Sequence, residues 1–338
     1  MHEPPSRGDI MVSVCCIAYN HEKYIREALD GFLMQKTDFA FEILIHDDAS
    51  TDGTADIIRE YEKKYPHLIS ALCQTENHYS RGIDVYLLNL RRARGKYIAD
   101  CEGDDYWTDP YKLQKQVDYL ESHPSCSATF HASLNVDAES GRTISYFRPC
   151  TENRFFRTGE IIQRDGGFFS TNSLMYRAAL LDRLPDFFLN ASVGDYPMMI
   201  YLSTEGDVYY TDEVMSAYRS NVRDSWTDRV YNKLDLRIKH YKEIAAMLDE
   251  VDRYTNHLYA EDIVKAKTRN QLNIKKLDWR LLISQRKLAQ AKKKYAREIY
   301  STMSLSTKTM LHLKYYFPSL YSILVHSKKK GKKWLIRD

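Results

Sequence analysis

Between Cys101 and Trp107 the chain reads CEGDDYW, and Glu102, Asp104 and Asp105 are all carboxylic acids. Carboxylates this close raise one another's pKa unless something positive stands among them. Hard oxygen donors suit Mg2+ or Mn2+. Mg2+ is commonly held by one or two protein carboxylates, with phosphate oxygens and water completing its shell. Gly103 would let the backbone approach such a ligand closely. Taken alone, Asp104-Asp105 is equally a solvated loop ahead of a helix, since aspartates are common caps. Two further clusters shift that balance: Ala18-Tyr19-Asn20 and Asp47-Asp48. Asp48 offers an acceptor for a base-ring N–H, and Tyr19 a ring on which a base can stack. The plain alternatives are turn formation for Asp47 and Asp48, and packing for Tyr19, one of 26 tyrosines.

Each cluster follows a run that reads as a buried strand. MVSVCCI (11–17) is continuously apolar, as expected of a parallel strand covered on both faces. FEILIHDD (41–48), LISALC (68–73) and the run at 97–99 follow. Helices are expected between them. Ile25, Ala28, Leu29, Phe32 and Leu33 share one face of a helix. A second helix ends before Pro66, a third lies near 84–94, and Asp109-Pro110 reads as N-cap and first residue of a fourth, reaching about Glu121. Strands alternating with helices imply an α/β fold with a mostly parallel, Rossmann-like sheet. Ligands of such sheets bind beyond the carboxyl ends of the strands, where all three clusters would converge. Residues 125–230 are less regular, with short strands at 173–177, 207–212 and 214–219 suggesting a mixed sheet, and a helix from Asp195 to Thr204.

The 338 residues, 43% hydrophobic and 28% charged, describe an ordinary globular chain able to bury a large core. Cysteines 15, 16, 73, 101, 126 and 150 form no CxxC pair, which argues against a zinc or thioredoxin-like site and for reduced thiols in a cytoplasmic protein. The polar start MHEPPSRGDI is neither a signal nor a transit peptide. No run of 18 apolar residues exists, so no transmembrane helix is expected. The net charge of +3 conceals an asymmetry: residues 231–338 carry 25 Lys and Arg against 10 Asp and Glu, a net +15, leaving −12 for the rest.

The stretches VSVCCIAYNHEKYIREAL, FEILIHDDASTDGT and CEGDDYWTDPYKLQKQ resemble glycosyltransferase family 2, the large inverting family of GT-A fold, over roughly residues 11–230. The resemblance implies a nucleotide-sugar donor, usually a UDP-sugar, and a divalent cation, Mn2+ or Mg2+. It implies that Tyr19 and Asp48 hold the nucleoside, and that Asp104 and Asp105 carry metal and diphosphate, with Glu102 standing where the family's first Asp usually stands. SVGDYPMMIYLSTEGDVYY resembles the family's late acidic segment and points to Asp195 as general base, a helix N-cap being the plain alternative. Many members carry a His soon after the pair matched by Tyr218-Arg219. This chain has Asn221, Arg223 and Trp226 there, leaving Arg219 or Arg223, and more weakly Arg81 or Arg94, to neutralise phosphate.

The expected organisation is an N-terminal tail (1–10), a nucleotide-sugar-binding half (11–124), an acceptor-binding half with a mixed sheet (125–229) and a basic helical region (230–338). The resemblance implies a hexosyl- or N-acetylhexosaminyltransferase acting on a surface-polysaccharide or lipid-linked glycan in a bacterium. The basic region, with Phe317, Leu320, Tyr321, Leu324 and Val325 beside Lys328–Lys330, Lys332 and Lys333, is expected to lie on an anionic membrane surface. Two rival classes are considered. Nucleotidyltransferases commonly carry a Gly-rich basic loop after the first strand, where this chain has AYNHEKY without glycine. A nucleic-acid-binding protein would use the basic region, but it lacks a recognisable motif and leaves the acidic clusters unexplained; no nucleic acid is expected.

Overall fold

The computed structural model describes residues 10–164 and 166–322. Of these, the residues up to Asp228 together with Ile244–Lys267 form one compact unit; Arg229–Glu243 with the described residues from Thr268 form a second.

The first unit opens with the alternation expected. β1 (Val12–Ala18), α1 (Ile25–Leu33), β2 (Phe41–Asp47), α2 (Thr54–Lys64), β3 (Ile69–Cys73), α3 (Val85–Leu90) and β4 (Tyr97–Asp100) follow in order. β1 pairs in parallel with both β2 and β4, and β2 with β3. The spatial order β3-β2-β1-β4 leaves its switch point between β1 and β4, the place where open α/β sheets bind ligands. These strands are buried because helices cover both faces. Val12, Val14, Cys16, Ile43 and Ile45 meet Ile25, Leu29, Phe32 and Ile58 on one side. Cys15, Leu44 and Ile98 face the other.

After β5 (Tyr106–Trp107) and α4 (Lys112–Ser122) the sheet becomes mixed. β6 (Cys126–Asp137), β7 (Thr143–Phe147), β8 (Arg154–Phe156), β9 (Met175–Arg177) and β10 (Asp207–Ser220) extend it, with α5 (Thr158–Gln163), α6 (Asp186–Leu189) and α7 (Asp195–Glu205) between them. β9 lies antiparallel between β4 and β6, and β6 runs parallel to β10. The two strands expected at 207–212 and 214–219 are one, β10, with register shifts between Thr211 and Ser216. β6, β7 and β8 escaped the sequence reading. The fourth helix starts at Lys112, two residues beyond Pro110, because Asp109 builds a turn first: its Oδ1 accepts from Tyr111 N at 2.7 Å.

The second half of α8 (Leu234–Tyr254) and the start of α9 (Ala260–Ser284) belong to the first unit. Ile244, Met247, Leu248, Val251, Ile263 and Ala266 share its core, so residues 244–267 depart from the expected 230–338 region. The second unit holds the remainder of those helices, α10 (Leu288–Lys294) and α11 (Leu305–Tyr316), with its own small core of Trp279, Leu282, Ala291 and Tyr295. Leu324, Val325 and the Lys328–Lys333 cluster, like residues 1–9 of the tail, lie outside the described residues. None of the six cysteines is in a disulfide. Among the described residues no helix is long and apolar enough to cross a membrane.

Candidate active site

The ends of β1, β2 and β4 bring the three polar clusters together. Asp48 N donates to Ala18 O at 3.0 Å and Gly103 N to Ile17 O at 2.9 Å, so the loops after β2 and β4 both lean on the end of β1. Tyr19 is half-buried there. The turn beyond it is tightly laced: Asn20, at φ 58°, accepts from Thr51 N through Oδ1 at 2.8 Å and donates its own N–H to Ser50 Oγ at 2.8 Å.

The two aspartates after β2 have separate tasks. Asp47 builds the turn, accepting from Ser50 N at 3.1 Å and Ser50 Oγ at 2.5 Å. Asp48, 3% exposed, accepts from His78 N at 2.7 Å and Tyr79 N at 3.0 Å, which folds the 77–82 loop over the strand ends. One ligand atom each of His46, Asp48 and His78 lie within 4.8 Å of one another, a group able to hold a metal. Burial holds the His46 imidazole below its ordinary pKa. Arg81 of the same loop pairs with Glu76 at the surface.

In the acidic loop the three carboxylates also diverge. Asp105 is 1% exposed and turned inward: Oδ1 accepts from Arg219 N and Oδ2 from Asn172 Nδ2, both at 2.8 Å. The structure therefore does not present Asp105 to a metal, and its part is to hold the loop from behind. Asp104 and Glu102 are partly exposed. Glu102 Oε2 is buried without a hydrogen-bond partner. Burial, then Asp104, pushes the pKa of Glu102 up, and Asp195 is close enough to add to the effect. Burial, then Asp104 and Glu102, raises Asp105. His21 Nε2 lies 3.7 Å from Asp104 Oδ2. A buried, unpartnered oxygen on Glu102 beside the charge of Asp104 is what a hard divalent cation would relieve, so Asp104 and Glu102 fit one.

Asp195 opens α7, half-buried, with Oδ1 accepting from Tyr196 N at 2.7 Å. A Cβ on Gly166 would stand 3.1 Å from Asp195 Oδ2, so that glycine keeps the approach to the carboxylate narrow but open. Glu102 and Asp195 feel each other's charge although 93 residues separate them in the chain.

The cationic candidates fall elsewhere. Arg94 precedes β4 at the opposite, amino-terminal end of the strands, where Nη2 meets Glu42 Oε2 at 2.6 Å and the backbone N meets Ser13 Oγ at 3.2 Å. It is not brought to the crevice at the carboxyl ends, because a residue three positions before a strand lies more than a full strand length from that strand's carboxyl end. Arg219 is 8% exposed; Nη1 donates to Asp104 O at 2.5 Å, Nη2 pairs with Glu27, and the guanidinium lies over Tyr106 at 4.4 Å and Tyr24 at 5.1 Å. It braces the loop's backbone. Arg223 is exposed.

Two residues not singled out from sequence complete the arrangement. Asn172, fully buried, donates to Asp105 and to Ala217 O (3.1 Å) and accepts from Ser216 Oγ (2.6 Å) and Ser170 Oγ (2.8 Å). Its carbonyl also accepts from Trp107 Nε1 at 2.9 Å. An asparagine in an irregular TNS stretch carries no spacing signal that would reveal this. His21 had one, since it directly follows the Tyr19-Asn20 cluster.

Comparison with known proteins agrees with this geometry. Residues 13–184 match the profile of "Glycosyl transferase family 2". An uncharacterised protein of Mycobacterium tuberculosis is 40% identical over 225 residues, 64% of this chain, and the chain spans 62% of that protein's length. The crystal structure of Staphylococcus aureus TarS (residues 1–349) with UDP-GlcNAc superposes with a TM-score of 0.59 at 19% identity, covering 95% of this chain and 92% of that one. Mannosyltransferase PcManGT of Pyrobaculum calidifontis, in complex with GDP-Man and Mn2+, gives a TM-score of 0.53 at 19% identity over 98% and 89% of the two chains. These structures share the GT-A fold. A match over half its length, on the strands whose ends gather here, makes this chain a member of glycosyltransferase family 2.

Proposed function

We propose that the protein transfers a sugar with inversion from a UDP-sugar to a hydroxyl of a surface-polysaccharide or lipid-linked glycan, with Asp195 as general base. The observation that supports this reading is that Asp195, 93 residues further along the chain, is near enough for its charge to act on the carboxyl of Glu102 in the acidic loop. Tyr19 and Asp48 receive the nucleoside. Asp104 and Glu102 hold a divalent cation, Mn2+ or Mg2+, while Asp105 and Asn172 fix the loop that carries them. When bound, that cation offsets the charge of the departing diphosphate. The fully buried His46 and the two backbone N–H groups already on Asp48 make the histidine-containing cluster the less suitable seat for that ion.

A sugar hydroxyl is a poor nucleophile near neutral pH, and a carboxylate within hydrogen-bond reach removes its proton as it attacks. The acceptor oxygen forms a bond to the anomeric carbon, the bond from that carbon to the diphosphate oxygen breaks, and the proton passes to Asp195. Attack opposite the leaving group inverts the centre without an enzyme nucleophile. TarS, named a poly(ribitol-phosphate) β-N-acetylglucosaminyltransferase, is by that name a relative with a polymer acceptor, which supports a polymeric acceptor for this chain. Phe317 (61% exposed) and Leu320 (47%) on the basic second unit support docking on an anionic bilayer, where near-surface Lys and Arg contribute on the order of 1 kcal/mol each.

Asp195→Asn tests the chemical assignment. It should bind UDP with Mn2+ as the wild type does and lose UDP release from UDP-sugars by at least a hundredfold. Turnover at the wild-type rate would refute the base. Truncation near residue 300 should abolish sedimentation with anionic liposomes; unchanged sedimentation would refute the membrane role.

A further inference from the structure

His21 is built into the donor crevice more firmly than a surface residue of a turn needs to be. Its N–H donates to Thr54 Oγ1 at 2.8 Å, and its carbonyl accepts from Tyr24 N and Ile25 N, both at 2.8 Å. The backbone is thus tied to the start of α2 and to the first turn of α1. The ring is covered by the acidic loop, which approaches because residue 103 has no side chain. A Cβ there would meet His21 Nδ1 at 3.0 Å, Ala18 Cβ at 3.1 Å and Ile25 Cδ1 at 2.8 Å. His21 Nδ1 is buried without a hydrogen-bond partner, so whatever Nε2 binds sets the tautomer. Nε2 faces Asp104 Oδ2 at 3.7 Å, with the two side chains 15% and 16% exposed.

That separation is too long for a hydrogen bond. It leaves room for one ion between the two atoms, and a side-chain shift of under about 1 Å brings both to bonds of about 2.1 Å. Other features favour the same arrangement. Arg219 takes the carbonyl of Asp104 and leaves the carboxylate facing the imidazole. Asp105 is engaged behind the loop. Glu102 Oε2, close by in the loop, is buried without a partner.

We propose that His21 Nε2 is a ligand of the divalent cation, sharing it with Asp104, and that this imidazole makes the site prefer Mn2+ or Co2+ over Mg2+. The proposal rests on the reading of the acidic loop as a cation site. Carboxylate and water satisfy Mg2+, whereas an imidazole nitrogen adds affinity chiefly for transition metals. The chain thereby supplies a nitrogen donor from the loop after β1, in place of any donor from the segment after β10, where Asn221 and Arg223 stand.

The test is metal binding by the full chain, with no turnover required. Free Mn2+ is followed by electron paramagnetic resonance, with Mg2+ and Co2+ as competitors, in the presence of saturating UDP. The proteins are wild type, His21→Ala, His21→Gln, Gly103→Ala and Asp104→Asn, each checked for an unchanged circular dichroism spectrum. His21→Ala and His21→Gln should weaken Mn2+ and Co2+ about tenfold or more while changing Mg2+ less than threefold. Gly103→Ala, which pushes the ring aside, should follow them in direction. Asp104→Asn should weaken all three metals. Wild-type Mn2+ affinity in both His21 variants, with Asp104→Asn still defective, would overturn the role of His21 alone. Equal losses of Mn2+ and Mg2+ in the His21 variants would overturn the selectivity. Wild-type affinity in Asp104→Asn would overturn the cation site itself.

Discussion

Asn172→Ala removes the clamp behind the acidic loop, and the cost can be worked out bond by bond. The side chain donates to the Asp105 carboxylate at 2.8 Å and to Ala217 O at 3.1 Å, and accepts from Ser216 Oγ at 2.6 Å and Ser170 Oγ at 2.8 Å. Each of the four bonds contributes about 1 kcal/mol, and the buried partners left unsatisfied without Asn172 add about 1–3 kcal/mol to the cost. Water admitted to the hole returns part of this, so the expected loss is about 3–5 kcal/mol. The assay is urea unfolding followed by circular dichroism, wild type against variant, with the slope unchanged so that the midpoint reports stability. The same protein should bind Mn2+ more weakly, because Asp105 no longer fixes the loop carrying Asp104. Asn172→Asp should be at least as destabilising, since it sets a second carboxylate against Asp105. A loss below about 1 kcal/mol for Asn172→Ala would show that the four bonds are not what holds the loop.

Three further outcomes are expected. Arg94→Ala should leave UDP affinity within about twofold yet lower stability by about 2 kcal/mol, because Glu42 at 4% exposure loses its partner; a large loss of UDP binding would return Arg94 to the donor site. Lys112, fully buried over the Trp107 ring at 4.2 Å, has its pKa lowered to about 7 by burial. The unfolded chain therefore binds a proton that the native state lacks between about pH 7 and 10.5, and native stability from this group rises with pH through that window. The stability of Lys112→Met relative to wild type should be most favourable below pH 7 and fall by about 3 kcal/mol toward pH 10, as measured by urea midpoints; a pH-independent difference would refute the burial of a titrating Lys112. Gly95→Ala should destabilise the junction into β4, since its Cβ would stand 2.5 Å from Ser13 N; an unchanged melting temperature would contradict that packing.

Residues 11–124 were legible because their signals are local. The run through Val12–Ala18 and the one ending in Asp47-Asp48 are apolar over a strand's length, and a parallel sheet forces their polar ends to one edge. Residue type did not reveal direction. Asp104 and Asp105 are neighbours, yet only the backbone decides that one faces the crevice and the other faces Asn172. Arg94 failed for a related reason: a cation beside a strand carries no mark of which end it occupies, and Glu42 claims it. Residues 125–229 were less legible: the strand expected at 173–177 is β9, but β8 is only three residues long and β7 five. Such strands are specified by neighbours far away in the chain, not by their own pattern. The helical segment 244–267 looked like part of the basic region, but Leu248 and Val251 are wholly buried in the first unit's core.

The central claim is that Asp104 and Glu102 hold a divalent cation together with a nucleotide diphosphate. The most direct measurement is calorimetric titration of UDP with and without Mn2+, in wild type and Asp104→Ala. The account predicts that Mn2+ tightens UDP binding at least tenfold in the wild type and leaves the variant unchanged. Wild-type affinity for UDP that is the same with and without Mn2+ would contradict it.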